Sequence, residues 1–276
     1  MTRPFEAAGL AFEDAAEAIA RAGYRSIGLN LRAKARDGEP ILPPGAPPER
    51  LAWLRGVLQQ QGLGVGIVFA RAFGGLGRDN VAARIADVVD CAALGCDRLL
   101  DAGPWAYRKG LEVRRPWREF AAAAEAFYAA AAEVADQTRD RSVITVIKPH
   151  TGVTAAAWEL LQTLARIDRP NVRACYDAGN VAFYEGLRPE DDVADVAEVV
   201  SALCVKDHRG ARGHTDFPTP GDGDVDHVAV LRTLRAAGFD GPAAVEMVAG
   251  KTPEEVEREA ARCHAYLEAA LEASAP

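Results

Sequence analysis

The chain has 276 residues, of which 49% are hydrophobic, and a formal net charge of -8. This size suits one α/β domain with a sizeable core, so we treat 1–276 as a single domain. The acidic net charge gives no basic stripe of the kind that binds DNA or RNA. No apolar run approaches the ~20 residues of a membrane span, and no secretory leader opens the chain. We therefore expect a soluble, cytoplasmic protein that binds neither nucleic acid nor membranes.

Helical and strand patterns alternate along the chain after a weak candidate strand at 5–10. The predicted helices cover 12–22, 48–60, 79–94, 116–137, 154–167, 189–199, 225–237 and 252–270. The predicted strands cover 26–31, 64–69, 97–100, 143–147, 172–176, 202–205 and 243–246. Because helices separate successive strands, parallel pairing with right-handed crossovers is predicted. With 5–10 as the eighth strand, the fold is a (β/α)8 TIM barrel.

An open doubly wound sheet is the competing architecture. It usually has Gly-x-Gly-x-x-Gly after its first strand, and that motif is absent here. The run Gly74-Gly75-Leu76-Gly77 lacks the lysine and hydroxyl residue of a phosphate loop, so we interpret it as a flexible mouth loop. Segments 33–47 and 103–115 also follow strands and are predicted to lie above the barrel mouth.

Polar residues recur where the later strands stop. In a parallel barrel these strand ends converge on one mouth, which is where such folds perform chemistry. The candidate site residues at these points are Lys148, His150, Asp177, Asn180, Lys206, His208 and Glu246.

Glu246 is the sharpest candidate, because a carboxylate within an apolar strand is costly to bury unless it is paired, hydrogen-bonded or metal-bound. Lys148 follows a strand-like run, and burial would lower its pKa and make a neutral amine available for Schiff-base or general-base chemistry. The alternative for Lys148 is an ion pair with Glu246 or Asp177 that only neutralises them.

Each of the other strand-end residues can have either a functional or a purely structural role. His150 can bind a hydroxyl, shuttle a proton or ligate a metal, or it can be a plain loop residue. Asp177 and Asn180 can face the mouth, with Gly179 allowing close backbone approach, or they can form an Asx turn. Alternation requires at least one residue of Lys206-Asp207-His208 to face away from the pocket, and a Lys206–Asp207 ion pair is the structural alternative.

The five cysteines have no zinc or disulfide spacing and are expected to be buried thiols. Cys204 is the exception, since it lies beside a polar strand end.

Taken in order, these motifs resemble the sugar phosphate isomerase/epimerase family of xylose isomerase-like TIM barrels. The similarity is clearest over 143–248, through Lys-Pro-His-Thr-Gly, Tyr-Asp-Ala-Gly-Asn, Val-Lys-Asp-His, Pro-Gly-Asp-Gly-Asp-Val-Asp and Val-Glu-Met. The resemblance implies a divalent metal, often manganese, held by a glutamate, an aspartate, a histidine and a second glutamate. Asp177 and Glu246 match two of these ligands. Lys148 stands where the first glutamate is expected, and Cys204 stands where the histidine is expected.

These departures leave the metal question open. Asp177 and Glu246, with help from His150, His208 or Cys204, could hold manganese, magnesium or zinc, and an enzyme without metal is the alternative. The resemblance also suggests a homo-oligomer, a dimer or tetramer.

The leading hypothesis is a carbohydrate- or cyclitol-acting isomerase or epimerase that transfers protons next to a carbonyl. Glu246 would be the base, Asp177 a metal ligand or electrostatic organiser, and Lys148 an electrophilic or proton-transfer group. The residues expected to bind substrate are His150, Asn180, Lys206 and His208. A lyase of dehydratase or aldolase type using Lys148 without metal is the first alternative, and a non-catalytic sugar-binding barrel is the second.

Overall fold

The computed structural model describes residues 1–75 and 80–275. The helices are α1 (Arg3–Ala7), α2 (Phe12–Arg21), α3 (Pro48–Gln60), α4 (Val81–Ala93), α5 (Trp117–Gln137), α6 (Ala157–Ile167), α7 (Ala178–Glu185), α8 (Pro189–Val196), α9 (His227–Ala236) and α10 (Pro253–Ala273). The strands are β1 (Ser26–Asn30), β2 (Gly64–Phe69), β3 (Arg98–Ala102), β4 (Tyr107–Lys109), β5 (Val113–Arg114), β6 (Ile144–Lys148), β7 (Val172–Asp177), β8 (Val200–Val205) and β9 (Ala243–Val245).

Seven strands form one parallel sheet in the order β1-β2-β3-β6-β7-β8-β9. Helices connect successive strands, and the sheet curls into a nearly closed barrel. The alternation of helical and strand patterns along the sequence predicted this arrangement. The predicted TIM barrel is therefore confirmed. The remaining two strands, β4 and β5, pair antiparallel within the predicted mouth segment 103–115. Within the described residues, none of the helices has both the length and the apolar composition needed to cross a membrane.

The prediction of an eighth strand at 5–10 is wrong. This region contains α1, in which Pro4 occupies the first helical turn, where a missing N–H costs nothing. The chain just before α1 fills the place between the first and last strands. The Met1 nitrogen donates to the Val245 carbonyl at 2.8 Å, and the Thr2 N–H donates to the Gly28 carbonyl at 3.3 Å.

Helix α7 is an element that the sequence patterns did not predict. It begins directly after β7, where Asp177 is its N-cap and accepts a hydrogen bond from the Asn180 N–H at 2.9 Å. The Asx-type contact was thus anticipated, but not the helix that it starts. For the mouth loop 74–77 and the helix 79–94, residues 76, 77 and 79 lie outside the described part of the chain.

The barrel interior is packed in levels, because alternate residues of each strand face inward. The apolar level below the mouth consists of Ile67, Leu100, Val146, Cys175, Cys204 and, one inward-facing position deeper on β8, Ala202, with Ala244 packed against it. Four ionisable residues lie two positions beyond this level: Lys148 on β6, Asp177 on β7, Lys206 just after β8 and Glu246 just after β9. The strand register therefore places these four side chains together on top of the apolar level.

Candidate active site

The centre of the site is an ion cluster that consists of Lys148, Asp177, Lys206 and Glu246. The Lys148 ammonium lies 2.8 Å from Asp177 Oδ2 and also pairs with Glu246 Oε2. The Lys206 ammonium lies 2.9 Å from Glu246 Oε2 and 3.5 Å from Asp177 Oδ2. Two ammonium groups thus share the same two carboxylate oxygens.

The other oxygen of each carboxylate also has a donor. Arg3 Nη1 lies 3.0 Å from Glu246 Oε1, and the Asn180 backbone N–H donates to Asp177 Oδ1 at 2.9 Å. Lys206 donates in addition to Asn180 Oδ1 at 2.8 Å, and Asn180 Nδ2 donates to the Pro149 carbonyl at 2.7 Å. The side chain of Asn180 therefore ties the end of β6 to Lys206.

A glycine lets α7 approach Lys206 closely. A Cβ atom on Gly179 would lie only 2.8 Å from the Lys206 carbonyl oxygen and 2.7 Å from its Cγ. A larger residue would push α7 and the end of β8 apart. Gly179 thereby fixes the position from which Lys206 reaches Asn180 and Glu246.

The charges of the cluster stabilise one another. Burial alone lowers the pKa of Lys148, but the nearby Asp177 and Glu246 carboxylates outweigh burial and hold this pKa well above 10.5. Burial alone raises the pKa of Glu246, but Lys148 and Lys206 hold it well below 4.5. The sequence argument that burial makes Lys148 a neutral amine is therefore wrong for this arrangement, because it left out the paired carboxylates.

A cavity of about 620 Å³ opens above the cluster. Its lining includes Arg3, His150, Asn180, Lys206 and Glu246, whereas Lys148 and Asp177 do not line it. Lys148 is only 1% exposed and Asp177 is fully buried. Lys206 and Glu246 thus form the floor that a ligand can touch, while Lys148 and Asp177 support them from below.

One wall of this cavity is aromatic and contains His150. The imidazole lies 4.7 Å from the Trp105 ring, 4.8 Å from the Tyr184 ring and 5.8 Å from the Phe73 ring, measured between centroids. Burial, followed by the charges of Lys148 and Lys206, lowers the pKa of His150 to about 3, so the ring is neutral at physiological pH.

The two residues after Lys206 have different surroundings. Asp207 accepts hydrogen bonds from the backbone N–H groups of His208, Gly221, Gly223 and Val225, at 2.8 to 3.1 Å. The His208 ring contacts the His214 carbonyl at 2.7 Å and packs beside aromatic rings, and it does not line the cavity. Asp207 thus organises the 221–225 loop. Because β8 ends at Val205, alternation no longer governs the direction of His208.

Three donor groups have spacing suitable for a metal ion. One ligand atom each from Asp177, Cys204 and Glu246 lies within 4.8 Å of the others, and all three residues are buried. The ammonium groups of Lys148 and Lys206 contact one oxygen of each of these two carboxylates, Asp177 Oδ2 and Glu246 Oε2.

Sequence reasoning missed several residues of the cavity. Arg3 reaches Glu246 across 243 sequence positions, and no local pattern indicates such a contact. Tyr184, on the unpredicted α7, also lines the cavity, whereas Trp105, in the mouth segment 103–115, packs against His150 without lining it. The position of the mouth segment after a strand was a signal for ligand contact, but it did not single out any residue.

The comparisons with known proteins concern the family and the fold. The profile of the family described as xylose isomerase-like TIM barrel matches residues 16–267. A xylose isomerase domain protein from Alicyclobacillus acidocaldarius superposes with a TM-score of 0.73 at 18% identity, covering 96% of this chain and 95% of that one. None of the curated proteins that were compared matches the chain.

Two further solved structures are informative. D-psicose 3-epimerase from Clostridium cellulolyticum, solved with D-tagatose, has a TM-score of 0.72 at 13% identity and covers 96% of this chain and 95% of its own. A xylose isomerase-like TIM barrel protein from Mycobacterium smegmatis, solved in complex with magnesium, has a TM-score of 0.73 at 15% identity and covers 96% and 89%. At these identities the likeness concerns the fold. From the family profile over most of its length, the chain belongs to the xylose isomerase-like TIM barrel family.

Proposed function

We propose that this protein is an isomerase or epimerase of a carbohydrate or cyclitol, working by proton transfer next to a carbonyl group. The observation that carries the proposal is the buried carboxylate of Glu246, which meets the ammonium of Lys206 at the floor of a sugar-sized cavity. Proton abstraction next to a carbonyl requires a base and a nearby positive group. The similarity to an epimerase solved with D-tagatose supports the same reaction class.

In the proposed reaction, Glu246 removes the proton from the carbon beside the carbonyl. The electrons of the broken C–H bond form the double bond of an enediolate, and the carbonyl oxygen takes up the negative charge. Lys206 donates a hydrogen bond to this oxygen. A substrate that draws the Lys206 ammonium away from Glu246 Oε2 also makes this carboxylate a stronger base, since that ammonium helps to hold its pKa low.

The return of the proton decides the product. If Glu246 gives it back to the former carbonyl carbon, and the hydroxyl proton of the adjacent carbon passes to the former carbonyl oxygen, the result is an isomerisation. If another group delivers a proton to the opposite face, the original carbon is epimerised. His150 does not supply this proton at neutral pH, because its pKa of about 3 leaves the ring neutral, so the proton comes from solvent in the cavity.

The lyase alternative has less support. A Schiff base requires an accessible neutral amine, whereas Lys148 is 1% exposed and has a raised pKa. No step is assigned to a metal, because the ammonium groups already contact the carboxylate oxygens that would bind it.

The test is exchange of substrate hydrogen with solvent. The protein is incubated with a panel of ketoses, keto-cyclitols and their phosphates in D2O, and deuterium at carbons next to the carbonyl is followed by NMR. We expect exchange with at least one member, with loss in Glu246→Gln and retention in the control Glu272→Gln, which alters an exposed residue of α10. Binding without exchange across the panel would support the non-catalytic barrel, and full exchange in Glu246→Gln would reject this base.

A further inference from the structure

Two ammonium groups lie in the part of the ion cluster where a metal ion would meet the carboxylate oxygens. Zinc and magnesium ions bind carboxylate oxygens at about 2.0–2.2 Å. Here Asp177 Oδ2 and Glu246 Oε2 each contact both ammonium groups, and the two remaining oxygens receive hydrogen bonds from Asn180 and Arg3. Each carboxylate oxygen of the donor set therefore already lies against an ammonium group or an N–H donor, although Asp177 Oδ2 is held by the two charges alone and accepts no hydrogen bond from the described residues.

The two ammonium groups of the ion cluster differ in their access to the cavity. Lys206 is 5% exposed and lines the cavity, so a ligand in the cavity can reach its ammonium group. Lys148 is sealed between the apolar level below and its carboxylate partners, with 1% of its surface exposed. An ion entering from the cavity could displace Lys206, but it would still meet the fixed positive charge of Lys148.

The net charge of the cluster also argues against a bound metal ion. Lys148 and Lys206 contribute +2 and Asp177 and Glu246 contribute -2, so the cluster sums to zero without a metal. Cys204, the third possible donor, must lose a proton before it can act as a thiolate ligand. A bound divalent ion would leave the cluster with a net positive charge in a buried place.

We propose that the Lys148 ammonium is the built-in cation of this site and excludes divalent metal ions from Asp177, Cys204 and Glu246. It stands where the family resemblance implies an anionic metal ligand. The inference rests on the proposed function only in treating this cluster as the active site. It predicts that changing Lys148 to a carboxylate creates metal affinity that the natural sequence lacks.

The test measures Mn²⁺ binding directly, by electron paramagnetic resonance of the free ion and by elemental analysis after gel filtration. We expect the wild type and the exposed control Lys251→Glu to hold no stoichiometric Mn²⁺ at about 1 mM, whereas Lys148→Glu binds one ion per chain at least ~100-fold more tightly. Replacing Lys148 by Glu changes the cluster charge from zero to -2, which matches a divalent ion.

Binding of one Mn²⁺ per wild-type chain, lost in Asp177→Asn, would overturn the proposal. So would a folded Lys148→Glu protein without added affinity. If circular dichroism shows that Lys148→Glu does not fold, Lys148→Gln removes the charge alone and is expected to bind Mn²⁺ more tightly than the wild type does. Since no turnover is measured, failure of this inference is distinguishable from failure of the proposed reaction.

Discussion

Replacement of Lys148 by methionine keeps most of the aliphatic volume of the side chain but removes one positive charge from the ion cluster. Removing one partner of a buried ion pair costs about 3–5 kcal/mol, because a carboxylate is left buried without compensation. Lys206 remains 2.9 Å from Glu246 Oε2 and 3.5 Å from Asp177 Oδ2, so it offsets part of the loss. We expect the free energy of unfolding to fall by about 3 kcal/mol at neutral pH.

The loss of stability in Lys148→Met should be larger near neutral pH than at acidic pH. In the wild type, the lowered pKa of Glu246 contributes stability above pH 4.5 that is lost as the pH falls through its folded-state pKa. The raised pKa of Lys148 contributes stability below pH 10.5 that is lost as the pH rises through its folded-state pKa. Between these limits the pair contributes a nearly constant stabilisation.

In Lys148→Met, the stranded carboxylate has a raised pKa, so the native state takes up a proton that the unfolded chain does not bind. The destabilisation should therefore shrink on going from about pH 7.5 to about pH 5, by up to ~1.4 kcal/mol per pH unit.

Urea unfolding followed by circular dichroism at the two pH values measures this effect. The matched control is Lys251→Met, which alters an exposed lysine and should change stability by less than about 0.5 kcal/mol. A loss in Lys148→Met below about 1 kcal/mol, or an equal loss at both pH values, would refute the reasoning.

Three further predictions concern other parts of the site and its supports. With a pKa of about 3, the His150 ring should show no titration between about pH 5 and 8 in NMR spectra, and a midpoint near the ordinary value of 6.5 would contradict its burial. Asp207→Ala should remove the acceptor of the 221–225 loop and lower stability by about 2–4 kcal/mol; hydrogen exchange should accelerate in that loop and not in β2, and unchanged protection of the loop would contradict this role. Arg84→Met should cost about 3–5 kcal/mol in urea unfolding, because Arg84 is 1% exposed and pairs with two buried aspartates at 2.7 and 2.8 Å; a loss below about 1 kcal/mol would contradict it.

The barrel and its mouth were predictable because both depend on periodic features of the sequence. Helical and strand patterns alternate, and the polar residues stand two positions beyond inward-facing apolar residues of the same strands. This spacing places Asp177 above Cys175 and Lys206 above Cys204 without any knowledge of tertiary contacts. The two-residue alternation of side-chain direction ends where the strand ends. The direction of the His208 side chain therefore could not be predicted from that of Lys206.

Features that depend on contacts distant in sequence were not predictable. The state of Lys148 depends on two carboxylates from other strands, and burial considered alone gives the opposite direction for its pKa. The pairing of Arg3 with Glu246 depends on how the first residues fill the place between β9 and β1. Sequence patterns specify which residues face inward, but they do not specify which of them meet.

The two buried lysines differ in whether they line the cavity, and this difference separates their electrostatic tasks in the proposed reaction. Lys206 lies at the cavity floor and can exchange its contact with Glu246 for one with a substrate oxygen. Lys148 stays in place below it, so its positive charge needs no reorganisation when a proton moves from substrate to Glu246 and negative charge develops on the substrate oxygen. The total charge of cluster and substrate is the same before and after this step. A fixed cation beneath a movable one therefore suits a reaction in which a negative charge is displaced by a few ångström and then returned.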